Sequence, residues 1–207
     1  MPATRLTVIR HGETEWNAVQ RWANQLDSAL SPLGLRQAYR LASRMAEEPF
    51  DVLFCSSLGR AIATATPIAE RTGKPIQILN ELQEQAMGVF AGLTLTEIES
   101  QYGQELRRHR SEPDYAVDGG GESSTGFFER TIGALRQIVD QNPGRRIVAV
   151  AHGGTLDCLF RYVTGIGLHA PRPVRLLNAS INVVEIGDRW MIRTWGDVSH
   201  LQENGRT

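Results

Sequence analysis

At 207 residues the chain is long enough for one full α/β domain, and its 41% hydrophobic and 22% charged residues are those of an ordinary globular protein. A formal net charge of -1 gives no global basic field for nucleic acid or an anionic membrane, so any anion affinity must come from a local cluster. Cys55 and Cys158 lack paired spacing, which argues against a disulfide scaffold and a zinc site, and no apolar run nears the roughly 20 residues of a membrane span.

The first element is an apolar run, Leu6-Thr7-Val8-Ile9, that ends abruptly in Arg10-His11-Gly12. It reads as a buried strand delivering side chains to the edge of a sheet. A strand starting by Leu6 leaves no room for a signal peptide, and a cytoplasmic, reduced setting is expected. Apolar residues at Leu35, Ala38, Tyr39, Ala42 and Met45 have helical spacing, with Ser31 as cap, Pro32 in the first turn and Pro49 as the stop. Val52-Leu53-Phe54-Cys55 is a second strand. Ser56-Ser57-Leu58-Gly59-Arg60 turns into a helix from Ala61 to about Arg71, and Ile76 to Leu79 is a third strand. Such alternation predicts a mostly parallel sheet covered on both faces.

The middle breaks the rhythm. Glu81 to Gly92 reads as a loop, and Thr94 with Glu97 has capping-box spacing for a helix ending near Gly103. Leu106 to Gly121, with Arg107-Arg108-His109-Arg110, reads as an exposed excursion, so a lid-like segment is expected at about 85–122. Ser123 or Ser124 caps a long helix to about Gln141. Ile147 to Ala151 is a strand leading into His152-Gly153-Gly154-Thr155, and a helix follows to about Thr164. Ile181–Ile186 and Trp190–Trp195, joined at Gly187-Asp188, predict a closing antiparallel hairpin.

Ligands of open parallel sheets bind beyond the carboxyl ends of the strands. There this chain places Arg10 and His11, then Ser56, Ser57 and Arg60, then His152 and Gly153. Paired guanidiniums repel each other without an anion, so the cluster makes sense as a phosphate cradle, with glycine amides and a helix start facing the anion. An imidazole beside phosphate invites in-line attack and a phosphohistidine, and neighbouring cations keep it neutral. Glu84, in the loop after the third strand, is the best-placed proton donor for the leaving group, with Glu81 nearby. His109, His169 and His200 lack a partner pattern and read as structural.

Arg10-His11-Gly12-Glu13-Thr14 with Asn17 resembles the signature of the histidine phosphatase family, in its phosphoglycerate mutase-like branch. The similarity continues through Leu30 to Gly34, Ser56 to Ala61 with Thr64-Ala65, Leu82-Gln83-Glu84 with Gly88 and Gly92, Gly120 to Ser123, and Ala151 to Gly154. The resemblance implies a three-layer α/β/α sandwich, expected here to have a mostly parallel central sheet and one antiparallel edge strand, over residues 1–207 as a single domain. It implies His11 as phosphorylated nucleophile, Arg10, Arg60 and His152 binding the phosphoryl group, Asn17 assisting and Glu84 as proton donor, without metal. Two departures fall near the substrate entrance: Arg21-Trp22-Ala23-Asn24 where relatives often have Arg-x-Gln-Gly, and Phe90-Ala91-Gly92 where they often have Trp-Glu-Gly.

The expected function is a metal-independent phosphomonoester hydrolase acting on small phosphorylated metabolites, with no cofactor. A phosphoglycerate mutase is the rival, disfavoured by a short middle insertion, and a phospho-ligand-binding protein without turnover is the remote one. The expected partner is a small phosphate ester, with neither nucleic acid nor membrane. The middle segment and the C-terminal hairpin are the surfaces open to a homodimer contact.

Overall fold

The computed structural model describes residues 3–168 and 170–202. Strands β1 (Thr4–Arg10), β2 (Val52–Ser56), β3 (Ile76–Leu79), β4 (Arg146–Ala151), β5 (Ile181–Ile186) and β6 (Trp190–Asp197) form one sheet in the order β3-β2-β4-β1-β5-β6. The first four pair in parallel, β5 pairs antiparallel with β1, and β6 antiparallel with β5. The predicted hairpin is present, with one difference in position. The reversed strand, β5, lies one place in from the edge, and its hairpin partner β6 takes the edge.

Helices α2 (Pro32–Glu47) and α3 (Gly59–Thr72) cover one face, and α5 (Ser124–Asp140) and α6 (Gly153–Thr164) the other. The strand period divides the core between them. Ile147, Ala149 and Ala151 of β4 pack toward Leu135, Ile138 and Leu156, while Val148 and Val150 pack toward Leu41, Ala65 and Ile68. A strand buried on both sides is apolar at every position, which is why β4 reads as a continuous run. Each fully buried Leu or Ile here contributes about 1.5–3 kcal/mol relative to exposure.

The order β2-β4-β1 brings the three motif-bearing strand ends side by side. The tail of β1 is pressed against the start of α2. Ser31 caps α2 by accepting from Gly34 N at 3.0 Å, and its hydroxyl donates to Glu13 Oε1 at 2.7 Å. A Cβ on Gly34 would sit 1.9 Å from the Glu13 carbonyl oxygen, so only glycine fits this crossing. Gly34→Ala is therefore expected to destabilise the fold by about 1–3 kcal/mol, as overpacking does, read as a lowered Tm with reduced activity.

The middle segment departs from expectation where its helix ends. Helix α4 (Leu95–Ser111) starts at the predicted Thr94–Glu97 capping box but does not stop near Gly103. It passes through a kink at Tyr102 (φ -134°, ψ 34°) and continues, because Leu106 is buried against its own small core. That core, of Met87, Phe90, Ile98, Leu106 and Val117, anchors the segment at Leu106 and Val117, while most of 106–121 is exposed as expected. The segment folds over this small core as a cap. No helix among the described residues is long and apolar enough to cross a membrane.

Candidate active site

A pocket of about 460 Å³ opens over the carboxyl ends of β1, β2 and β4, lined at its floor by Arg10, His11, Arg60, Glu84, Gly153 and Gly154. Of the predicted strand-end residues, Arg10, His11, Arg60 and Gly153 line it, while Ser56, Ser57 and His152 do not. His11, 4% exposed, follows β1, and its ring centroid lies 5.3 Å from that of His152, which caps α6 and is fully buried.

The hydrogen bonds decide which nitrogens can react. His11 Nδ1 is 2.7 Å from the Gly12 carbonyl, which can only accept, so Nδ1 carries the proton. Nε2 then keeps its lone pair, and Arg60 Nε donates toward it at 3.3 Å. His152 Nε2 pairs with Ser56 Oγ at 2.7 Å, which leaves its Nδ1 buried and without a partner, as is Arg10 Nε. Buried polar groups without partners cost free energy, so this pair marks a site built for a polar group that enters it.

Burial, followed by Arg10 and Arg60, holds His11 well below the usual histidine range. Burial does the same to His152, helped by His11, Arg60 and Arg10. Both histidines stay neutral in the folded protein while their unfolded counterparts take up protons as pH falls through about 6.5. The unfolded state then binds more protons, so stability must fall as pH drops below that value. Between pH 6.5 and 5 the expected slope approaches about 1.4 kcal/mol per pH unit for each histidine. Denaturant titrations across that window should show it, and a His152→Asn variant should show a shallower loss.

Arg60 is held by groups that sequence reading missed. It lies in the first turn of α3 and is 2% exposed, donating to the Leu26 carbonyl at 2.8 Å and the Asn24 carbonyl at 2.5 Å. Leu58 offers α3 no side-chain cap, and Asp27 takes that place by accepting from Gly59 N at 2.6 Å and Arg60 N at 3.2 Å. Thr64 Oγ1 accepts from Gly12 N at 2.9 Å and so ties α3 to the His11 loop. Arg10 donates to the Leu176 carbonyl.

Glu84, not Glu81, reaches the pocket. Its carboxylate accepts from Gly154 N at 3.0 Å and Gln85 N at 2.9 Å. Arg130 clamps the loop that carries it, donating to the Glu81 and Gln83 carbonyls and pairing with both oxygens of Glu122. Asn17 is not among the pocket-lining residues. It sits in the one-turn helix α1 (Glu15–Ala18), where its Oδ1 completes the Thr14 capping box and accepts from Asn178 Nδ2 at 3.1 Å. The same Asn178 amide donates to the His11 carbonyl, linking Asn17 to the floor indirectly.

The two sequence departures have physical readings. Asn24 adopts φ 53°, a left-handed conformation that glycine takes freely and asparagine tolerates, so the backbone that receives Arg60 is preserved. Phe90 is fully buried in the cap core. Trp22 lines the pocket, whereas Trp16 packs on Gly92. Of the cationic run, Arg108 pairs with Glu112 and lies over Tyr115, and His109 meets the Phe90 ring edge-on, away from the pocket. His169 lies outside the described residues. Among the described residues, no group of three or more His, Cys, Asp or Glu side chains is arranged to hold a metal ion.

Comparison with known proteins places this geometry in context. The profile of the histidine phosphatase superfamily (branch 1) matches residues 6–198. Phosphoglycerate mutase-like protein 4 of Arabidopsis thaliana is 37% identical over 97% of this chain and 88% of its own. A metal-independent phosphoserine phosphatase of the same plant is 37% identical over 98% of this chain and 85% of its own. The structure is similar to that of a phosphoserine phosphatase from Entamoeba histolytica in complex with 3-phosphoglyceric acid, with a TM-score of 0.85 and 26% identity over 96% of this chain and all of that one.

Proposed function

The chain belongs to the histidine phosphatase superfamily, and from that premise we propose that it is a metal-independent phosphomonoester hydrolase acting on small phosphorylated metabolites through a phosphohistidine on His11. The observation that carries this reading is the pair of buried unpartnered nitrogens, Arg10 Nε and His152 Nδ1, set beside an imidazole whose Nε2 is unprotonated. Arg10, Arg60, His152 and the Gly153 amide hold the phosphoryl oxygens. His11 Nε2 attacks phosphorus in line as the bond to the leaving alcohol breaks, and Glu84 gives its proton to that oxygen. The ionised Glu84 then takes a proton from water, which attacks phosphorus. The P–N bond breaks, phosphate leaves, and His11 is neutral again. Asn17 assists through Asn178.

The mutase reading keeps the same residues and returns the phosphoryl group to a second hydroxyl. The mutase-like name of one Arabidopsis relative favours it. Hydrolysis is preferred because the pocket rim is open, with Arg172 42% exposed, and water reaches a phosphohistidine there. We further read the chain as a single domain of this family, supported by one sheet that takes strands from both ends of the sequence. A cytoplasmic setting fits Cys55 and Cys158, which are free and buried.

The test is a screen of small phosphomonoesters that records free phosphate and transferred phosphoryl together, with a rapid quench to trap an acid-labile, alkali-stable phosphoenzyme. Release of phosphate with that intermediate is the expected result. Conversion of 3-phosphoglycerate to 2-phosphoglycerate in the presence of bisphosphoglycerate, without free phosphate, would overturn it in favour of the mutase.

A further inference from the structure

The cap leaves the sheet region at Ala86 and returns at Glu122, and these two ends are fastened to each other. Glu122 N donates to the Ala86 carbonyl at 2.7 Å, and the Gln85 side-chain amide donates to the Glu122 carbonyl at 2.9 Å. Arg130 of α5 closes this neck. Its Nε and Nη2 donate to the two oxygens of Glu122 at 2.8 and 2.7 Å, a bidentate ion pair. The remaining nitrogen, Nη1, donates to the Glu81 carbonyl at 2.7 Å and the Gln83 carbonyl at 3.1 Å. The Phe127 ring supports the fork, with the guanidinium carbon 5.1 Å from its centroid. Arg130 therefore grips the chain just before Glu84 directly, and just after it through Glu122.

Glu84 has no regular structure of its own to hold it. Its stretch lies between short helical turns at Asn80–Leu82 and Gly88–Phe90 and belongs to no strand. Two neutral amides also reach it: Gln83 donates to Ser57 Oγ at 2.7 Å, and Gln25 to the Glu84 carbonyl at 3.1 Å. Charge-assisted bonds are about twice as strong as neutral ones, and Arg130 and Glu122, only 24% and 23% exposed, are shielded from salt, so the ion pair dominates. Neither residue lines the pocket, and the Glu84 carboxylate accepts from Gly154 N and Gln85 N instead, so their influence on chemistry passes through the backbone. The phosphate cradle is held from elsewhere, Arg10 by the Leu176 carbonyl and Arg60 by the Leu26 and Asn24 carbonyls. We propose that Arg130 and Glu122 are positioning residues for the proton donor, setting the reach of Glu84 to the leaving oxygen without acting on phosphate binding. This rests on the hydrolase reading above.

Arg130→Met keeps an unbranched apolar stem against Phe127 and removes the fork. On glycerol phosphate, whose departing alkoxide needs a proton, kcat should fall about 10- to 100-fold, the scale of a displaced catalytic group. Inhibition by inorganic phosphate should keep its wild-type strength. With nitrophenyl phosphate, whose phenol leaves unaided, the first turnover should keep its rate while later turnovers slow, because Glu84 is needed again to activate water. Glu122→Gln keeps the backbone bonds to Ala86 and Gln85 and removes only the charge, so it should show the same pattern at smaller size. The double variant should lose little more than Arg130→Met alone, since both changes act on one contact. Loss of the nitrophenyl first turnover and of glycerol phosphate turnover in equal measure, or weakened phosphate inhibition, would overturn the inference and leave the pair a support of the fold. Unchanged kinetics in both single variants would overturn it too. Should Arg130→Met fail to fold, the same comparison in Glu122→Gln decides. A wild type that releases phosphate from neither ester would count against the hydrolase reading itself and remove this inference with it.

Discussion

His11→Ala is expected to lower kcat by about 10⁴- to 10⁶-fold, the scale on which covalent catalysis fails when its nucleophile is removed. The imidazole is prepared on three sides. Gly12 fixes the proton on Nδ1, Arg60 Nε points at the free Nε2, and Arg10 and Arg60 join burial in disfavouring the imidazolium. His152 is not placed to replace it, since its Nε2 is engaged by Ser56. The variant should still bind phosphate, because Arg10, Arg60 and His152 remain, so the loss belongs in kcat and not in KM. It should also form no acid-labile phosphoenzyme on rapid quench. The fold should survive and lose less stability between pH 6.5 and 5, since one buried neutral histidine is gone. Wild-type turnover by this variant would overturn the assignment of His11.

The sequence made the floor of this site legible because its residues sit at strand ends next to apolar runs, where chain order alone locates them. His11, Arg60 and His152 are of that kind. What was not legible acts across long separations or by backbone. Asp27 caps a helix that begins at Gly59, and nothing around Asp27 announces it. Thr64 stood in a recognisable block, yet its bond to Gly12 appears only once α3 is laid beside β1. Gly103 looked like a helix stop, but the burial of Leu106 outweighed it and the backbone took a kink instead. Arg172, which lines the pocket, lies in an irregular arm without periodicity, and that arm is tied to α6 by Arg161, which donates to the Gly167 and Ala170 carbonyls.

Glu84→Gln should have the second largest effect, and the step it slows depends on the leaving group. For an alkyl phosphate the departing alkoxide needs a proton, and loss of the general acid is expected to lower kcat about 10²- to 10⁴-fold. The amide oxygen of glutamine can still accept from Gly154 N or Gln85 N, so the loop geometry is retained and the loss reports chemistry. An aryl phosphate with an acidic phenol departs without help, so phosphorylation of His11 should stay fast. Glu84 is needed again to deprotonate water, so turnover of the phosphohistidine should be slow. The expected trace is a burst of phenol of about one per active site followed by a slow steady state, the signature of an accumulating covalent intermediate. Gly154→Ala offers an independent displacement of the same carboxylate, because an added Cβ would lie 2.1 Å from Glu84 Oε1. It should impair alkyl esters more than aryl ones, in the same direction as the amide. A Glu84→Gln enzyme that hydrolyses alkyl and aryl esters with equal loss and no burst would place the proton donor elsewhere in the pocket.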